Sequence, residues 1–140
     1  MVTQSGIETT DDAVLRSMGL SRAKIASLRD LCLRLADGRL NFDLLTNASD
    51  FEAINMLDDV RGIGAWTAQM ALMFALGRMD ILPATDIGVQ RGIMRAYQLV
   101  AMPSPSTVQR IAAERGWSPY SSIACWYLWC VAEPEGNALW

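Results

Sequence analysis

The sequence predicts an all-α fold, and three observations predict it. Apolar residues recur at three- and four-residue spacing through every periodic segment, and nowhere alternate for long at spacing two. Ser, Thr, Asp or Asn stands ahead of nearly every such segment, as helix N-caps do. Glycine or proline punctuates the short gaps, so the connections suit helices packed on their neighbours.

Taken in order, the elements begin after a lead-in. Residues 1–9 and 134–140 read as frayed ends of a single domain spanning 1–140. Thr10 is placed to cap a short helix to Met18, with Asp11 and Asp12 favouring its N-terminal dipole. Ser21 caps a longer helix whose Ile25, Leu28, Leu31, Cys32 and Leu35 form one apolar stripe, and Gly38 ends it. Asn41 starts a short turn of helix. Ser49 and Glu52 form a capping box for a helix to about Asp59. A break at Val60–Gly64 precedes a helix from Ala65 to about Leu76. Asp86 is placed to cap "IGVQRGIMRAYQL", and Ser104-Pro105 and Ser118-Pro119 both read as N-cap–proline starts.

Composition narrows the chemistry. Histidine is absent, which excludes His-based acid–base catalysis, Ser-His-Asp or Cys-His nucleophiles and imidazole zinc sites. Lys24 is the only lysine. Cys32, Cys125 and Cys130 follow no metal-ligand spacing and read as reduced, mostly buried thiols of a cytosolic protein. The hydrophobic fraction is high at 51% and the mean hydropathy is +0.17. Yet no apolar run reaches the roughly 18 residues of a membrane span, and the first residues do not read as a secretory signal. The net charge of −3 argues weakly against DNA. Its distribution softens that objection: residues 61–98 hold four basic and two acidic side chains, the one net-positive third.

That third opens inside "VRGIG" (60–64), five residues between two helices, with the whole hairpin spanning about 50–76. Gly62 and Gly64 can both take φ > 0 and leave amides uncovered at the N-terminus of the second helix, where N–H groups and the dipole attract an anion. A phosphodiester is the obvious ligand, and such a contact needs little side-chain charge. On the two glycines alone, an ordinary αα-turn is the simpler reading.

The residues that follow reverse it. Three pieces stand out: the hairpin followed by Trp-Thr-Ala (Val60 to Ala68), "LPATDIGVQR" (Leu82 to Arg91) with its aspartate twenty residues beyond Trp66, and "WSPYSSIACWYLW" (117–129). With "LRSMGLSRAKIASLRDLCLRLADGRL" upstream, they resemble the helix-hairpin-helix DNA glycosylases, closest to the 3-methyladenine DNA glycosylase II or alkylbase type. The likeness spans about residues 11–130.

The resemblance implies a monofunctional DNA glycosylase of base excision repair that flips and hydrolytically removes alkylated purines. It implies that Asp86 is catalytic, its carboxylate stabilising an oxocarbenium-like sugar and orienting water; the same residue also fits a plain N-cap. Where bifunctional relatives carry a Schiff-base lysine, this chain has Trp66, so no strand cleavage is expected. Trp66 and Trp129 match aromatic pocket positions, with Met70 where the family sometimes has tyrosine. A methylated purine is cationic and gains cation–π attraction of about 1–2 kcal/mol between such faces. Trp129 fits pocket and core equally, whereas Trp126 and Trp117 are assigned to the core. Arg61, Gly62, Ile63, Gly64, Ala65 and Thr67 are the expected DNA contacts; Arg91 suits a pairing with Asp86, a phosphate or simple solvation.

The resemblance further implies no required cofactor, a Na+ or K+ ion held by hairpin carbonyls near Val60, and no iron–sulfur cluster, because Cys125 and Cys130 do not supply four ligands. The expected partner is double-stranded DNA with a damaged base, with no membrane, in the cytoplasm beside the nucleoid or in a nucleus. Family members carry helices before the segment that begins here, so an N-terminally truncated chain is expected, with a homodimer covering the incomplete N-terminal face. The alternative is a non-catalytic or degenerate helix-hairpin-helix DNA-binding module.

Overall fold

The computed structural model describes residues 2–133, and among them every regular element is an α-helix. Contacts divide the chain into two compact units, Met1–Ala68 and Gln69–Trp140. The boundary falls inside a helix, α6 (Ala65–Phe74), rather than in a linker.

In the first unit the helices are α1 (Gln4–Thr9), α2 (Asp12–Ser17), α3 (Arg22–Ala36), α4 (Phe42–Asn47) and α5 (Asp50–Asp58). Their starts follow sequence chemistry. The Ser21 hydroxyl accepts the Lys24 amide at 3.2 Å and Asn41 Oδ1 accepts the Leu44 amide at 2.7 Å. Ser49 and Glu52 close the expected capping box. Leu15, Ile25, Cys32, Leu45, Ala53, Leu57 and Val60 are buried here.

Two expectations fail in this unit. The reading of residues 1–9 as frayed does not hold for Gln4–Thr9, which is helical and packs on α3. Its stability is tertiary: the Arg29 guanidinium donates to the carbonyls of Ile7, Glu8 and Thr10 and pairs with Asp12 at 2.7 Å. The cap of α2 is Asp11, not Thr10, because the Thr10 hydroxyl is spent on the Gly6 carbonyl at the end of α1. Residues 134–140 lie outside the described residues.

In the second unit α7 (Ile87–Ala96) packs along α9 (Ser121–Ala132), with α8 (Pro105–Glu114) against α7. Leu72, Ile81, Val89, Ile93, Val108, Cys125 and Leu128 fill the core. A Cβ built on Gly92 would lie 2.2 Å from the Leu128 carbonyl oxygen, so α7 and α9 meet backbone to backbone. Ser104 caps α8 as expected. Ser118, by contrast, caps nothing. Its hydroxyl donates to Asp80 Oδ2 at 2.5 Å, and α9 starts three residues later. Asp80 does the capping from a distance, with Oδ1 accepting the Ser121 amide at 3.2 Å and the Ser121 hydroxyl at 2.5 Å. Hydrogen bonds from Ser118 and then Ser121 hold the Asp80 carboxyl below the usual carboxylate range.

Candidate active site

Asp86 stands at the entrance of α7, and the residues before it explain its fixed position. Pro83 and Ala84 are buried, and the Asp86 amide donates to the Pro83 carbonyl at 2.9 Å. Gln90 reaches back from α7 to the Ala84 carbonyl at 2.9 Å. The chain therefore arrives at Asp86 along a pinned path. Asp86 Oδ1 then accepts two N–H groups, from the Val89 backbone at 2.7 Å and the Trp129 indole at 2.8 Å. The first is the N-cap that the sequence indicates. The second comes from α9, forty-three residues away.

Gly88 makes that second bond possible. A Cβ there would sit 2.6 Å from Trp129 Cδ1 and 3.0 Å from Asp86 Oδ1, closer than side chains tolerate. With hydrogen in its place, the indole lies across the first turn of α7 and its N–H reaches the carboxylate. Burial also pushes the nearby Cys125 thiol up to about 12, with the Asp86 charge adding to the effect. That thiol stays protonated at neutral pH.

Aromatic rings continue the site. Trp129 stacks on Phe74 with centroids 5.9 Å apart and planes 25° from parallel, and Trp126 meets the same Phe74 at 5.8 Å, tilted 43°. The assignment of Trp126 to the core is corrected: it is 40% exposed. Helix α9 is apolar on all sides, and its buried face is taken by Ser121, Ser122, Cys125, Leu128 and Ala132 instead. Trp117 and Trp129 are half-buried. Phe74, 56% exposed, has no forewarning in the sequence, since it sits inside the apolar run "MALMFALG".

The hairpin turn belongs to the first unit. Gly62 takes φ +75°, a conformation that glycine alone adopts without cost, and a Cβ there would lie 2.5 Å from the Ser27 hydroxyl. Gly64 differs from expectation: it is not among the residues of positive φ, and a Cβ on it would meet nothing within 4 Å. It stands ahead of Ala65 as a bare, exposed backbone rather than a strained one, and its carbonyl accepts the Ala68 amide to start α6. From α3, Asp30 Oδ2 accepts the Arg61 amide at 2.8 Å and Arg34 Nε at 3.0 Å, which pins the turn. The Arg61 amide above all lowers the Asp30 carboxyl; desolvation opposes it, and Arg34 adds to the lowering. The Val60 carbonyl accepts the Ile63 amide at 3.0 Å.

Of the remaining expected residues, Arg61, Ala65, Thr67 and Arg91 are exposed and Ile63 is half-buried. Trp66 is 49% exposed on the first turn of α6, in the first unit; Met70, one turn on and in the second, is half-buried. Among the described residues Arg91 makes no ion pair with Asp86. The structure thus brings together Asp86, Trp129, Phe74 and Trp126 in one unit, and Arg61 to Ala65 in the other. Among the described residues no helix is long and apolar enough to cross a membrane.

Known proteins and solved structures match most of the chain. A putative DNA-3-methyladenine glycosylase of Bacillus subtilis is 37% identical over 115 residues, covering 82% of this chain and 39% of that protein. DNA-3-methyladenine glycosylase 1 of Schizosaccharomyces pombe is 30% identical over 128 residues, covering 91% and 55%. Among solved structures, a DNA-3-methyladenine glycosidase of Bacillus halodurans superposes with a TM-score of 0.81 at 36% identity, over 94% of this chain and 60% of that one. The 3-methyladenine DNA glycosylase of S. pombe in complex with abasic DNA gives 0.81 at 30% identity, over 91% and 61%. The chain spans about half the length of the curated relatives it matches. The profile described as HhH-GPD superfamily base excision DNA repair protein matches residues 1–118, and the chain belongs to that superfamily.

Proposed function

We propose that this chain carries the base-releasing chemistry of a monofunctional DNA glycosylase acting on alkylated purines in double-stranded DNA. The observation that carries the reading is Asp86, a carboxylate fixed by the Trp129 indole and the Val89 amide beside the partly exposed aromatic side chains of Phe74 and Trp126. Aromatic faces of this kind suit a base flipped out of the stack, and a cationic alkylated purine adds attraction to them.

The chemistry needs little else. The bond from sugar C1′ to the base nitrogen breaks, and its electron pair neutralises the purine cation, so the base leaves without protonation. The Asp86 carboxylate stabilises the positive charge that develops on the sugar and orients water, whose oxygen bonds to C1′ as its proton passes to the carboxylate and on to solvent. Trp66 has no amine to capture the sugar, and the abasic strand stays uncut.

The hairpin supplies position. Arg61, Gly62, Ile63, Gly64, Ala65 and Thr67 offer amides and charge to a phosphate, and Arg91 offers a second cation. A Na+ or K+ ion would be held there by carbonyls about Val60, whose oxygen keeps a second lone pair beside the Ile63 bond; when bound, it adds positive charge next to the phosphate. Self-association through the N-terminal face belongs to the same reading and is checked by sedimentation. The test of activity is release of free 3-methyladenine from methylated DNA by the purified chain, with Asp86→Asn as the control. Release by the parent and none by the variant supports the reading. Binding without release by the parent reduces the chain to a DNA-binding module.

A further inference from the structure

A cleft in the first unit carries more charge than the hairpin reading uses. It encloses about 760 Å³ between α2, α3 and the hairpin turn. Four arginines, Arg16, Arg22, Arg29 and Arg61, face two aspartates, Asp12 and Asp30. Both aspartates are committed: Asp12 pairs with Arg29, and Asp30 takes Arg34 and the Arg61 amide. Arg29 is committed as well, to the end of α1. The guanidinium groups of Arg16, Arg22 and Arg61 have no hydrogen bond or ion pair among the described residues. They come from three different elements, the last turn of α2, the first turn of α3 and the hairpin itself, and they converge on one concave surface. A single solvated arginine is ordinary; three on one wall, with the acids already neutralised, leave a net positive hollow.

We infer that this cleft is a second phosphodiester site, occupied by a DNA backbone phosphate near the one held by the hairpin, and gripped by Arg16 and Arg22 with Arg61 shared between the two. The inference rests on the DNA-binding part of the proposed function. Arginine suits the task because its planar fork meets phosphate oxygens in pairs. Because the grip is on the backbone, it carries affinity and register but no base preference.

The test is anisotropy of abasic-site duplex on the full chain across a salt series, for the parent, the double variant Arg16→Gln/Arg22→Gln, the double variant Arg16→Lys/Arg22→Lys, and Arg110→Gln as a control outside the cleft. Arg16 and Arg22 have no side-chain partner among the described residues, so the glutamine and lysine pairs should keep the parental thermal transition. The glutamine pair should lower affinity about tenfold or more at low salt and flatten the salt slope by about one, for the single phosphate that is no longer neutralised. The lysine pair should keep the slope, and Arg110→Gln should change little. An unaltered slope and affinity in the glutamine pair overturns the cleft. If Gly64→Val still weakens binding in that case, the hairpin reading survives alone. Failure of the parent to bind duplex overturns both. An equal loss of affinity for polyglutamate would mark a general acidic-polymer surface and overturn the phosphodiester assignment.

Discussion

The hairpin and α7 each carry a pair of glycines, and the two pairs are used differently. Gly62 and Gly64 turn the backbone outward: one takes a left-handed turn against Ser27, and the other leaves open space ahead of α6. Gly88 and Gly92 let the protein inward: one admits the Trp129 indole to Asp86, and the other admits the Leu128 carbonyl to α7. Of the first pair only Gly64 leaves open space, the space the proposed phosphate needs, while Ser27 stands where a Cβ on Gly62 would be. The second spends its room on the protein's own groups and fixes a carboxylate. A missing side chain therefore marks a binding surface only where nothing inside the fold has moved in.

Adding one methyl group at each position is the most direct way to break this contrast. The largest effect is expected at Gly92→Ala, where the new Cβ would press on backbone 2.2 Å away. Overpacking against backbone, which cannot swing aside, costs about 3 kcal/mol or more. A chemical denaturation loss under roughly 1 kcal/mol would show slack between α7 and α9. Gly88→Ala should cost less stability, about 1–3 kcal/mol, because the obstructed group is an indole that can tilt. Tilting breaks the bond to Asp86, so base release should fall on the order of 10²-fold, as misplacement of a reacting group does. Unchanged release would separate the indole from the chemistry.

Next comes Gly62→Ala, expected to lose about 1–2 kcal/mol from the left-handed φ, with the crowding of Ser27 adding to it. Asp80→Asn probes the non-glycine contrast, a helix start held by a distant side chain. Its folded carboxyl titrates below the ordinary range, so its stabilisation is present above that range and lost as pH falls through the folded value. The variant should be weaker than the parent by about 1 kcal/mol at neutral pH, and the gap should close as the medium is acidified below the ordinary carboxylate range. A gap that persists in acid would contradict the assignment. Gly64→Val should be the mildest for folding, within about 0.5 kcal/mol, while weakening affinity for abasic duplex.

What the sequence made legible follows the same division between local and distant causes. Asp86 as a cap, the capping box at Ser49–Glu52 and the break at Val60–Gly64 depend on residues a few positions apart, and all three stand in the structure. Ser118-Pro119 carries an equally good local signal and misleads, because Asp80 claims the hydroxyl from thirty-eight residues away. Trp126 and Phe74 lie in segments apolar on every side, where periodicity cannot tell the buried face from the exposed one. Asp30 reads as one more charge on a solvated helix face until the Arg61 amide is found on it. The helix at Gln4–Thr9 is too short to persist without Arg29.

On the proposed function the two glycine-bearing regions divide the work, the hairpin holding DNA and the Asp86 site breaking the bond. Single-turnover release of 3-methyladenine from methylated duplex, measured against protein concentration for the parent, Gly64→Val and Asp86→Asn, tests it most directly. Gly64→Val should need more protein to saturate yet reach the parental rate. Asp86→Asn, whose amide oxygen can still accept the Val89 and Trp129 N–H groups, should saturate where the parent does and release base on the order of 10²–10³ times more slowly. A parental rate in Asp86→Asn, or a saturating rate in Gly64→Val that falls as far as that of Asp86→Asn, would contradict the division.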